Sequence, residues 1–180
     1  MMEAVHIERL RALYAMIAGI PEERIELETW RARIVKPYDP NWSKEVTNKD
    51  LLSQDCGTLA CAVGWACAHP EFQKQGLGWY GGSPIYRRRG GLRRLGWEAV
   101  ESFFGIRYGL AKFLFSVENI PYSDVGTMAA LFNEYPLVKR ADAKRTLLKR
   151  IRTHLLHIGA ITQERNRELA LLESTGKLTP

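Results

Sequence analysis

The chain of 180 residues has no apolar run approaching the ~20 residues that cross a bilayer. Its opening, Met1-Met2-Glu3-Ala4-Val5-His6, lacks the basic and then apolar segments of a secretory signal. From these absences no membrane partner and a cytoplasmic location are expected. Cysteine is scarce: there are three, all between Cys56 and Cys67, an odd number that cannot pair completely and that suits a reducing compartment. The glycines between Gly76 and Gly91 form neither Gly-x-x-x-x-Gly-Lys-Ser/Thr nor a strand-to-helix Gly-x-Gly-x-x-Gly, which excludes nucleotide binding. No helix-turn-helix, zinc-finger or ribonucleoprotein signature is readable.

With 46% apolar residues the chain can bury a core unaided, and residues 1–180 read as one domain. The expected fold is mainly α, α+β at most: a single compact helical domain around a buried central helix, with a minor hairpin or irregular β lobe. The central helix is expected from Leu59 to about Ala68, capped by Thr58 and stopped by Pro70. It is apolar nearly all round, with Cys61 and Cys67 as small hydrophobes and Trp65 as the one large anchor.

Apolar spacing predicts further helices over 3–18, 97–104, 110–115, 124–135, 139–158 and from Thr162 to Leu172. Residues 25–34 alternate like a strand whose phase slips at Thr29. Residues 36–53 read as a long loop pinned by Tyr38 and Trp42. His6, His154 and His157 are expected at the surface, and the last two lack the acidic neighbours that would complete a metal site.

The run Cys56-Gly57-Thr58-x-x-Cys61-x-x-Gly64-Trp65-Ala66, with Ile25 to Trp30 before it and Pro70-Glu71-Phe72 and Phe103-Phe104-Gly105 after it, resembles small bacteriophage and bacterial proteins carrying this signature. The resemblance implies a phage-type accessory protein, acting in the host-cell cytoplasm, and carries over no catalytic residue.

The strongest charge feature is Arg87-Arg88-Arg89-Gly90-Gly91-Leu92-Arg93-Arg94, five arginines in eight residues without an acid, inside a Gly/Arg-rich loop at about 76–94. Arg145, Lys149 and Arg152 line one side of the helix 139–158, and the whole chain carries +6. These eight basic residues are the expected binding surface, and no cofactor or metal is expected. The reading favoured is a non-enzymatic inhibitor or accessory protein that engages an acidic surface of a host protein. A second is DNA or RNA binding through the same segments, with Trp79, Tyr80 and Tyr86 for stacking.

A third is a thiol hydrolase. Gln54-Asp55-Cys56-Gly57 resembles the nucleophile turn of SUMO-type cysteine proteases, which implies Cys56 as nucleophile, while Asp55-Cys56 is also similar to cell-wall peptidases with Asp-Cys-Ser. The SUMO-type order needs a His-Trp pair upstream, but His6 is followed by Ile7, so the base falls to a downstream histidine such as His69. A zinc set of Cys56, Cys61, Cys67 and His69 lacks Cys-x-x-Cys spacing.

Overall fold

The computed structural model describes residues 2–28, 30–33, 47–53, 58–88, 90–116 and 142–175. The fold is mainly α with a minor β lobe, as the periodicity predicts. The helix expected over 124–135 lies outside the described residues, as do Tyr38 and Trp42.

Helix α1 (Ala4–Gly19) buries Leu10, Leu13, Tyr14 and Ile17 along one stripe. The last carbonyls of a helix have no partner within it; here the Lys144 Nζ donates to Ala18 O and Ile20 O at 2.8 and 2.6 Å. A 3-10 turn (Glu22–Arg24) leads to strand β1 (Arg31–Arg33). Helix α2 (Asn48–Leu52) follows inside what the sequence reads as loop. Its signal is Thr47-x-x-Asp50, a reciprocal capping box in which Thr47 Oγ1 accepts from the Asp50 N–H and Asp50 Oδ2 from the Thr47 N–H.

The central apolar stretch splits. Thr58–Ala60 forms β2, antiparallel to β1 with Arg31 opposite Ala60, and helix α3 runs only over Ala62–Ala68. The expected start at Leu59 and cap at Thr58 are therefore corrected: Cys61, extended at ψ 171°, is the N-cap, and the Thr58 hydroxyl donates to Asp50 O instead. Short apolar runs fit helix and strand equally, and pairing with a distant segment decided this one. The helix is central as expected, with every residue buried. The Trp65 indole N–H donates to Arg24 O at 3.2 Å, and the Arg24 guanidinium lies over that ring while holding Leu51 O.

Helix α4 (Pro70–Lys74) leads into a meander of β3 (Leu77–Tyr80), β4 (Ser83–Arg87) and β5 (Arg93–Leu95). Gly81 and Gly82, at φ 51° and 81°, make the two-residue turn whose twist suits a hairpin. Gly76, Gly78 and Gly81 have dinucleotide-loop spacing, yet they run through this hairpin and not from a strand into a helix.

Helix α5 (Gly96–Phe104) packs across β4 and ends at Gly105 in the left-handed region. Helix α6 (Tyr108–Phe115), α7 (Ala143–His157) and α8 (Gln163–Thr175) complete the described chain, with the Thr162 hydroxyl capping α8 through the Arg165 N–H. One apolar cluster joins α1, α3, α5, α6, α7 and α8, with Phe72, Phe103, Phe104 and Phe115 in edge and tilted ring contacts at its centre.

Candidate anion-binding face

The meander sets the arginines in register. Arg87 stands directly opposite Arg93, and Tyr86 opposite Arg94. Like charges facing across strands repel, so this edge is built against its own stability. Arg87, Arg88, Arg93 and Arg94 are all exposed; Arg89 lies outside the described residues. Among them stand two large exposed apolar residues, Leu92 and Leu95, each about half accessible.

Beside the strands a polar cavity of about 290 Å³ opens between the start of α1 and the basic edge, lined in part by Glu3, His6, Arg9, Arg88, Arg94 and Ser102. Arg9 forms its inner wall and is buried. Its Nε donates to Gln75 Oε1 at 2.8 Å and its Nη1 to Phe103 O at 2.6 Å, while the guanidinium lies 4.0 Å from the Phe103 ring centroid. His6 is no surface histidine: its Nδ1 lies 2.9 Å from the same carbonyl. A carbonyl only accepts, so the Nδ1 carries the proton. Both side chains thereby cover the carbonyl end of α5. Gly105 is required here because a Cβ on it would meet the His6 ring at 2.4 Å.

Of the three basic residues expected to bind from α7, Arg152 is not available. Arg152 is buried, its Nε 2.9 Å from Glu173 Oε1 and its Nη1 2.6 Å from Asn166 Oδ1, because α8 covers that side of the helix. Tyr14 of α1 donates to Glu173 at 2.6 Å. Burial and this carboxylate push the phenol up. Arg152 thus clasps α1, α7 and α8 and is withdrawn as a binding residue. Arg150 donates to Ser116 O, and Lys144 is spent on α1. Arg145 and Lys149 are exposed. His154 is buried, not superficial, with neither ring nitrogen hydrogen-bonded, and burial pulls it down to about 4.

The thiol candidates divide. Cys56 and Asp55 lie outside the described residues. Cys61 and Cys67 are buried; desolvation pushes the Cys61 thiol up to about 12 and raises that of Cys67 too, the opposite of what a nucleophile needs. His69 joins α3 to α4 with its ring against Phe72 and its Nδ1 buried without a hydrogen bond. Among the described residues no three His, Cys, Asp or Glu side chains gather as a metal site, and no helix is long and apolar enough to cross a membrane.

The proposed stacking trio is also divided. The Arg31 guanidinium lies 3.6 Å from the Trp79 ring centroid, Tyr86 is buried, and Tyr80 is exposed. The cavity lining of His6, Arg9 and Ser102 was not anticipated from sequence, because His6 and Arg9 lie on α1, far from the arginine run in the chain, and Ser102 on α5 carries no signal of its own. Comparison with protein families, with curated proteins and with solved structures gives no match for this chain.

Proposed function

We propose that the protein is a non-enzymatic binding module, a phage-type accessory or inhibitor protein, whose β4–β5 edge engages an acidic surface of a host protein. The observation that carries this reading is the edge itself: Arg87 opposite Arg93, with Arg88 and Arg94 adjoining, and Leu92 and Leu95 exposed among them. Arginines mixed with exposed apolar side chains are the composition of a protein interface. A surface that tracks nucleic-acid phosphates gains little from exposed leucines and needs open aromatic rings, of which Tyr80 is one and the buried Tyr86 is not.

The test is fluorescence anisotropy with poly-glutamate and with random duplex DNA. Replacing Arg87, Arg88, Arg89, Arg93 and Arg94 by Ser is expected to abolish poly-glutamate binding while leaving the melting temperature nearly unchanged, since exposed charges contribute little to stability. Tighter binding to the duplex, with log affinity falling by about 0.9 per phosphate for each tenfold rise in salt, would give first place to nucleic acid.

A further inference from the structure

The cavity beside the basic edge has a chemistry of its own. Arg9 is 9% exposed, and its polar contacts are neutral acceptors, Gln75 Oε1 and Phe103 O. A buried guanidinium normally faces a carboxylate, because desolvating a charge is costly unless it is paired. Here the compensation is the carbonyl end of α5, worth about half a negative charge, so part of the cation is left over. Its Nη2 makes neither of these bonds, and Arg9 is among the residues that line the cavity.

Around the same space stand the Arg88 and Arg94 side chains, with Ser102 as a hydroxyl donor. Three guanidinium groups against the single carboxylate of Glu3 leave the lining at +2. Arg94 also meets Glu98 at 3.4 Å, and Glu3 meets His6 Nε2 at 3.5 Å, both acids being mostly exposed. About 290 Å³ is far more than one carboxylate fills, and Val5 and Leu92 give the lining an apolar part.

We propose that this cavity binds a phosphate monoester, with Arg9, Arg88 and Arg94 on its oxygens and Val5 and Leu92 against the organic group that carries it. A phosphate monoester brings about −1.5 to −2 charges near neutral pH, matching the lining, and its three oxygens suit several forked donors at once. The proposal shares Arg88, Arg94 and Leu92 with the proposed docking surface, but its readout at Arg9 stands whether or not that surface binds an acidic protein. Its ligand is either a small phosphorylated molecule or a phosphorylated side chain of a larger partner.

The experiment follows arginine Nε–H signals of labelled protein during titration at constant ionic strength with inorganic phosphate, O-phosphoserine, acetate, and an acidic peptide with and without one phosphoserine. Phosphate and O-phosphoserine are expected to shift the Arg9 signal saturably, and acetate not to. The double variant Arg88→Gln/Arg94→Gln, both exposed positions, is expected to retain a folded spectrum and to weaken binding about tenfold or more, from lost charge-assisted hydrogen bonds. Phosphopeptide binding much tighter than O-phosphoserine assigns the larger source, and equal affinity the small one. No saturable shift at Arg9, acetate binding as tightly as phosphate, or unchanged affinity in the double variant would overturn the proposal.

Discussion

A Cβ on Gly64 would lie 1.8 Å from the carbonyl oxygen of Trp30, so the segment before β1 crosses the central helix where only a glycine lets it pass. The neighbouring Trp65 then reaches the carbonyl of Arg24, and Cys61 starts the helix. The Cys-x-x-Gly-Trp-Ala part of the sequence signature is thus explained by packing of one chain segment over another. Gly64→Ala is expected to destabilise the fold by about 3 kcal/mol, the upper range for overpacking a filled core; urea denaturation measures it, and an unchanged midpoint would mean that the crossing is looser than described.

His154 permits a second residue-scale prediction. Its ordinary value of 6.5 is pulled down to about 4 by burial and, less, by His157. As pH falls from 6.5 the unfolded imidazole takes up a proton before the folded one, so stability present above about 6.5 is lost progressively toward 4. The loss amounts to about 3 kcal/mol at the lower end. His154→Leu is expected to flatten that part of the stability–pH curve, as followed by denaturant midpoints between pH 7 and 4.

At the scale of elements, the clasp of Tyr14, Arg152 and Glu173 holds three helices together. Removing one partner of a buried ion pair leaves the other charge uncompensated, so Glu173→Gln is expected to cost about 3 kcal/mol or more. Arg145→Gln, on the exposed side of α7, should cost under about 1 kcal/mol. A similar loss in the two variants, read by thermal melting, would contradict the assignment of Arg152 as a structural residue. Helices α1, α5 and α8 were legible in the sequence because their apolar spacing, Thr162 and Gly105 are local signals. The clasp was not. Arg152 sits beside the stripe Leu147, Leu148, Ile151 and Leu155 and reads as solvated until α8 is laid over it. Leu59 and Ala60 likewise became strand only because β1 arrived beside them.

For the whole molecule, the described core runs from α1 to α8 and leaves the arginine edge outside it. The five-arginine run was legible as a feature, since no acid interrupts it. Its partner surface was not, because His6 and Arg9 come from α1, which only packing against α5 brings near. The packing of α8 on α7 withdrew Arg152 from the binding residues that composition alone suggests. What remains is one localised stretch of the meander, opposed cations with exposed leucines, and that localisation is the centre of the functional account.

The measurement that tests it most directly is a residue-resolved titration of backbone amide signals with poly-glutamate. The account predicts saturable shifts concentrated at residues 87–88 and 92–95, weakening as salt is raised, with Arg145 and Lys149 little changed. Shifts centred on α7 and α8, or spread evenly over every exposed cation, would contradict it.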